Sequence, residues 1–195
     1  MQNKVYILLT FCAILLFSCK KKAYDLDMHY DYFPTNKGAY QVYDVVERTH
    51  LSNGQMTESI YQLKTVIGDT FMDNAGRVNH EFKRYKRPSA TEDWIFSDLW
   101  VTYRNHDKME LVEENERKVK LVFPFSKTST WNAHAYTTLE QQNCSYYDFF
   151  LPETINNLIF EKTTKVLQED EFNLIMYRNK YEVYAKGVGL VKKHY

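Results

Sequence analysis

The chain has little cysteine, proline and glycine, with three, four and six residues of each among its 195. So few cysteines cannot form the disulfide framework of a small secreted scaffold, and so little proline and glycine excludes collagen-like and low-complexity chains. Net charge is also absent, because 25 Lys and Arg residues balance 25 Asp and Glu residues. We therefore expect no nucleic-acid partner, since binding the phosphate backbone requires clustered cations.

Aromatic residues, by contrast, are abundant: 16 Tyr, 12 Phe and 3 Trp. Such residues suit the pleated, half-buried surfaces of β-sheets. Turn signals such as Asn53-Gly54 separate alternating segments along the chain. The sequence therefore predicts an all-β, mainly antiparallel domain, a single meander of roughly nine strands that forms a curved sheet, barrel or sandwich, with at most one short helix.

Alternation of apolar and polar residues locates the predicted strands. They are residues 39–49, 57–67, 77–87, 93–104, 108–112, 118–125, 155–167, 172–178 and 180–193. The segment 155–167 follows Pro152 and could begin as a helix. We predict a loop at 126–132, an acidic turn at 168–171 and a solvated hairpin tip at 113–116.

The N-terminus has the features of an export signal. Lys4 precedes a 13-residue apolar run, residues 5–17, which is interrupted only by one threonine. This run is too short to span a bilayer, which needs about 20 residues. Residues 16–19, Leu-Phe-Ser-Cys, resemble a bacterial lipobox, in which the cysteine is acylated and becomes the new N-terminus. An ordinary cleaved signal is the alternative interpretation.

Cleavage before Cys19 would remove 18 of the 195 residues and leave 177, with one lysine fewer and a formal charge of −1. Only Cys144 would then keep a thiol. Lys20–Lys22 would follow the lipid as a basic tether that attracts anionic headgroups. The lack of an aspartate at position 20 does not resemble an inner-membrane retention signal, and the lack of an acidic run does not resemble a surface-export signal. These resemblances imply a lipid anchor in the outer membrane that faces the periplasm. The predicted domains are a signal peptide (1–18), a lipidated, flexible tether (19–32) and one β-rich domain (33–195).

Motifs for catalysis, metals and cofactors are missing. His80-Glu81 is followed by Arg84 where a zincin helix has its second histidine. No serine-hydrolase or Walker pattern occurs, and 187–189 is an isolated Gly-x-Gly. Cys144 and His134 could in principle form a thiol nucleophile, but a small buried cysteine is the better interpretation. We therefore expect a non-enzymatic protein without metal or cofactor.

Tryptophans are the remaining candidates for ligand binding. Trp94, Trp100 and Trp131 could form a sugar-stacking platform or line a lipid cavity, although filling the core of a curved sheet is the favoured role. Alternation predicts that Trp94, Phe96 and Trp100 share one face of their strand. Trp131 is the strongest binding candidate because residues 129–136 are polar and show no strand period.

Four stretches together resemble a group of Bacteroidetes-type outer-membrane lipoproteins, a β-rich family with no agreed catalytic residues. They are the lipobox at Cys19, residues 33–45, residues 120–125 with Trp131-Asn132 behind them, and residues 184–192. The sequence departs from the family after the tryptophan, where Ala133-His134 replaces small and Asn residues. The resemblance implies a β-rich envelope lipoprotein.

We therefore expect a membrane-anchored lipoprotein that binds an apolar or glycan ligand or an envelope protein. A carrier would need a dry internal cavity, whereas an assembly subunit would need a flat exposed patch. The alternative is a divergent hydrolase acting on envelope glycans. Such an enzyme would need two carboxyl groups facing each other across a cleft, one with a raised pKa.

Overall fold

The computed structural model describes residues 26–172 and 177–195, with side chains for all of these except Phe172 and Tyr177. The described chain is all-β, which confirms the predicted fold class. After a 3₁₀ turn at Tyr30–Tyr32 its strands are β1 (Tyr40–His50), β2 (Met56–Met72), β3 (Val78–Arg87), β4 (Ile95–Arg104), β5 (Lys108–Glu113), β6 (Glu116–Val122), β7 (Thr130–Asn132), β8 (Asn143–Ile155), β9 (Leu158–Phe172), β10 (Tyr177–Ala185) and β11 (Gly189–His194).

The strands form two antiparallel meanders. The first sheet has the order β1-β2-β3-β4-β5-β6 and curls into a half-barrel, while the second has the order β11-β10-β9-β8-β7. Hairpins form where the sequence supplies residues that accept positive φ, as at Gly54 (φ 81°) and Gly76 (φ 74°). Short connections between neighbouring strands thus account for both sheets.

Several local predictions from sequence were wrong. Residues 155–158 are no helix start, because Asn156 and Asn157 adopt positive φ (48° and 64°) and turn β8 back into β9. The predicted acidic turn at 168–171 lies inside β9, and the predicted loop at 126–132 contains β7. The predicted terminal strand is two strands, because Gly187 and Gly189 have positive φ and form a turn. Cross-strand pairing overrode the local turn signals in β9.

Side chains join the edges of the two sheets. On one side, Gln41 Nε2 and Tyr43 OH in β1 donate to carbonyls of Val188 and Leu190, at 2.7 and 2.8 Å. On the other side, Trp131 Nε1 in β7 donates to the Val119 carbonyl of β6 at 3.1 Å. These bonds cap strand edges that would otherwise expose unpaired backbone groups.

The core between the sheets consists mainly of aromatic and aliphatic side chains. Its buried members are Tyr32, Phe33, Met109, Leu121, Phe123, Phe125, Ala133, Cys144, Tyr146, Val166 and Tyr184. Met28 and Tyr30 also pack against this core, and the His29 ring stacks on Phe125 at 5.1 Å. The folded domain therefore includes residues 28–32, which the sequence analysis had assigned to the tether (19–32).

A buried ion pair crosses the core. Lys120 Nζ in β6 donates to Glu182 Oε1 in β10 at 2.6 Å, and Tyr184 OH donates to the other carboxylate oxygen at 2.7 Å. Lys120 is the extra residue of a β-bulge, because Met109 pairs with Leu121 while the next residue of β5 pairs with Val119. The two sheets are thus joined by charge as well as by apolar packing.

Glu113 belongs to the same network, which corrects the prediction of a solvated tip. Its side chain reaches Lys120 Nζ at 3.4 Å and Lys118 Nζ at 3.3 Å, and only 7% of the residue is exposed. Burial raises the pKa of Glu182, but the charges of Lys120 and Lys193 outweigh burial and lower that pKa to about 2. Both glutamates and Lys120 are therefore charged at neutral pH.

Lys120→Met should destabilise the fold by about 3 kcal/mol, because it removes the buried cation and leaves Glu182 with the partly exposed Lys193, 3.6 Å away, as its remaining cation. Combining Lys120→Met with Glu182→Leu should recover part of this loss. Lys118→Met is the matched control: this lysine lies at the rim of the network, so its loss should cost at most about 1 kcal/mol. Denaturant unfolding measures each value, and equal costs for Lys120→Met and Lys118→Met would contradict a dominant buried pair.

Acid should destabilise the fold through Glu182. Because its folded pKa of about 2 lies below the usual 4.5, its contribution is complete above pH 4.5 and is lost as the pH falls from 4.5 towards 2. The loss from this group should be about 3 kcal/mol. Glu182→Gln removes the titrating group, so its unfolding free energy should fall less over that interval than that of the wild type. Equal slopes in denaturant titrations at several pH values would rule out this role.

Candidate functional site

A second β-bulge determines which tryptophan faces the surface. Arg84 pairs with Asp98 but Tyr85 pairs with Phe96, so Ser97 is an extra residue in β4. A one-residue insertion moves all side chains on one side of it to the opposite face. The prediction that Trp94, Phe96 and Trp100 share one face was therefore wrong.

The face of the first sheet that points away from the core carries a group of exposed apolar side chains. They belong to β1, β2 and β4 and are 46–66% exposed: Tyr40, Val42, Val46, Ile60, Phe96 and Leu99. We call this face the outer face. Strand spacing of about 4.8 Å and a rise of about 3.3 Å per residue give these positions an area of roughly 300–400 Å². That area also includes the polar side chains of Gln62, Lys64 and Lys83, so exposed apolar groups are interspersed with polar ones across the face. Exposed apolar groups among polar residues are a candidate interaction surface.

A shallow cavity of about 390 Å³ lies within the outer face. Cross-strand pairing assembles it, because Tyr40 pairs with Val66 and Val42 pairs with Lys64. The lining residues are Tyr40, Val42, Lys64, Val66, Arg87 and Trp94, none of which is acidic. The cavity therefore combines apolar, aromatic and cationic groups.

Two cations lie against the ring of Trp94. Lys64 Nζ is 4.7 Å and Arg87 Cζ is 4.2 Å from the ring centroid, and Lys64 Nζ is also 5.0 Å from the centroid of Tyr85. Attraction between a cation and an aromatic face holds such groups in place. Arg87 is further oriented by Gln62, whose Oε1 accepts from Nε at 2.8 Å. No described carboxylate forms an ion pair with Lys64 or Arg87.

The other two predicted tryptophans lie elsewhere. Trp100 is on the core-facing side of the sheet, stacked on Phe82 with Arg84 Cζ 3.7 Å from its ring centroid. Trp131 packs on Tyr146 at 4.8 Å in β7, which corrects its assignment to a binding loop. Of the three predicted binding residues, only Trp94 contributes to the cavity. The predicted lipid site, Cys19, lies outside the described residues.

Sequence reasoning missed Lys64 and Arg87 as partners of Trp94. Alternation along the strand predicts that Lys64 and Leu63 point to opposite faces of the sheet. The sequence alone therefore indicated that Lys64 lies on the polar, solvent-facing side. The proximity of Lys64 to Arg87 was not available from the sequence, since it requires the register in which Gln62 pairs with Arg87. The signal for the site was thus divided among β2, β3 and the residue that precedes β4.

The residues considered as catalytic candidates lack the pKa values and contacts that catalysis would require. Burial raises the pKa of the Cys144 thiol to about 12, so the thiol is protonated and unreactive at neutral pH. The ring of His134 is hydrogen-bonded through Nδ1 to the Glu140 carbonyl at 2.6 Å. Every described carboxyl group with a resolved shift has a lowered pKa, including Glu113 and Glu182. A glycosidase acid would need the opposite shift.

Within residues 26–172 and 177–195, no group of three or more His, Cys, Asp and Glu side chains is arranged to hold a metal ion. The same residues contain no helix long and apolar enough to cross a bilayer. Comparison of the chain with protein-family models, curated proteins and solved structures found no match. The outer face and its cavity are therefore interpreted from their own geometry.

Proposed function

We propose that this protein is a bacterial envelope lipoprotein whose β domain binds a partner through the outer face without catalysing a reaction. The observation that carries the proposal is the outer face itself, where six apolar side chains are 46–66% exposed and two of them, Tyr40 and Val42, line a cationic, aromatic cavity. Exposing these side chains costs free energy that binding would recover, at about 25 cal/mol per Å² of apolar area buried.

The filled core favours a surface interaction over an internal carrier function. Tyr146 lies at the centre of the core, with ring centroids of Phe125, Trp131 and Phe149 at 4.4, 4.8 and 5.8 Å. Rings at such distances are in contact. Because these side chains occupy the space that a buried ligand would need, the partner is expected on the surface.

The anchor in this proposal is the acylated Cys19, which precedes Met28, the first of the described residues that packs on the core. Residues 20–27 form the connection, and eight extended residues span at most about 28 Å. Such a tether would keep the domain close to the outer membrane, with Lys20–Lys22 next to the headgroups. In this proposal the β domain lies on the periplasmic side of the outer membrane.

The alternative of a glycan hydrolase receives no specific support. Asp148 and Glu153 are bridged by their ion pairs to Lys165. Glu113 and Glu182 approach each other in the same way through Lys120. Both are buried and both have lowered pKa values, whereas a catalytic acid must hold its proton near neutral pH. Their role in the proposal is to stabilise the fold.

Replacing Cys19 by serine tests the anchor. We expect Cys19→Ser to abolish incorporation of labelled fatty acid in growing cells, because serine lacks the thiol that is acylated. Cys144→Ser is the matched control and should be labelled like the wild type, since Cys144 is buried in the folded domain. Equal labelling of wild type and Cys19→Ser would contradict the proposed anchor.

A photo-crosslinking residue in place of Ile60 or Leu99 tests the outer face in intact cells. We expect both positions to form the same covalent adduct, identified by mass spectrometry, because they belong to one surface. Met72 is the matched control: it is 69% exposed, compared with 66% for Ile60, but lies 12 residues further along β2. The proposal is wrong if neither position forms an adduct, or if Met72 forms the same one.

A further inference from the structure

We propose that the cavity beside Trp94 binds an amphiphilic anion, with its phosphate or carboxylate held by Lys64 and Arg87 and its apolar body placed on Tyr40, Val42 and Val66. This inference rests on the proposed function, because it assigns a ligand class to part of the outer face. Its two elements are the charge of the two cations and the apolar lining between β1 and β2.

The cations at this cavity form no direct ion pair with a described carboxylate, whereas other cations on the same face do. The Asp44 carboxylate is linked to Arg87 only through Gln62, which donates to Asp44 Oδ1 and accepts from Arg87 Nε, both at 2.8 Å. On the neighbouring positions of the first sheet, Lys83 pairs with Glu81 at 2.8 Å and Arg48 with Glu58 at 2.6 Å. Lys64 has no such partner among the described residues, although its Nζ is directed at the same ring as Arg87. Two like charges that share one ring repel each other, and a bound anion would replace this repulsion with attraction.

Both cations are already positioned for an anion. The Trp94 ring holds Lys64 Nζ and Arg87 Cζ within 4.7 Å of its centroid. Arg87 also uses Nε for Gln62 and Nη1 for the Glu92 carbonyl, at 2.8 and 3.4 Å, while Nη2 makes no hydrogen bond to a described residue. Less side-chain freedom is then lost on binding, which favours affinity.

The remaining lining suits an apolar body attached to the anion. Val42 is 46% and Tyr40 is 65% exposed, so the methyl groups and the phenol ring are accessible. The cavity is shallow, so a ligand would rest on this lining with part of its surface in water. A free inorganic anion would leave this apolar surface in water, and a neutral apolar molecule would form no ion pair with the cations. Both parts of the ligand are therefore needed.

Calorimetric titration of the full-length protein in phosphatidylcholine nanodiscs tests the ligand class, with empty nanodiscs as the blank. Hexyl phosphate represents a lipid-like source of the anion and hexyl glucuronide, which carries a carboxylate on a sugar ring, represents a sugar source. We expect one of them to bind at least about ten times more tightly than both inorganic phosphate and hexanol, which each lack one of the two parts. The tighter probe identifies the source. Equal affinity for inorganic phosphate, or no binding of either probe, would overturn the inference.

Single substitutions test the position of the site. We expect Lys64→Gln and Arg87→Gln each to weaken binding by about fivefold or more, because each removes one charge-assisted contact. Lys86→Gln is the matched control, since Lys86 is exposed and adjacent in sequence but directs its Nζ towards the ring of Tyr61 at 5.4 Å. Equal weakening by all three would indicate nonspecific charge and overturn the site.

The experiments distinguish a failure of the anion site from a failure of the proposed function of the outer face. The crosslinking positions, Ile60 and Leu99, belong to the outer face but do not line the cavity. Adducts at these positions without binding of hexyl phosphate or hexyl glucuronide would retain the outer face as an interaction surface. They would remove only the anion site.

Discussion

The ion pair between Lys120 and Glu182 connects the two sheets through the middle of the core. Burying either charge alone would cost several kcal/mol, so the pair requires both sheets to be in their native positions at once. Tyr184 completes the arrangement by donating to the second carboxylate oxygen. With one thiol among the described residues, Cys144, no disulfide joins the described strands, and packing and this network hold the sheets together.

The same core explains why binding is expected on the surface. Aromatic rings around Tyr146 fill the space between the sheets, while side-chain bonds close the sheet edges at β1–β11 and β6–β7. No strand or loop among residues 26–172 and 177–195 forms a layer over the outer face of the first sheet. Antiparallel sheets commonly present one face to water, but here that face carries Ile60, Leu99 and other apolar residues where polar ones are typical.

Two β-bulges, each a single extra residue, change the face of the sheet on which several side chains lie. The bulge at Lys120 lies where the buried cation enters the core, and the bulge at Ser97 turns Trp94 and Phe96 onto the outer face, away from Trp100. A bulge leaves little trace in an alternation pattern, because either register looks regular over a few residues. The sequence therefore predicted the strand but assigned part of it to the wrong face.

The sequence by itself determined the all-β class, most strand positions and the hairpin turns, because alternation and glycine conformation act over neighbouring residues. It also supplied the export and lipidation pattern around Cys19, which remains a prediction. Only the tertiary structure decided that Glu113 is buried, that Trp131 belongs to the core, and that Lys64 and Arg87 meet at Trp94. Those outcomes depend on strand register and on contacts between distant segments, which no local pattern specifies.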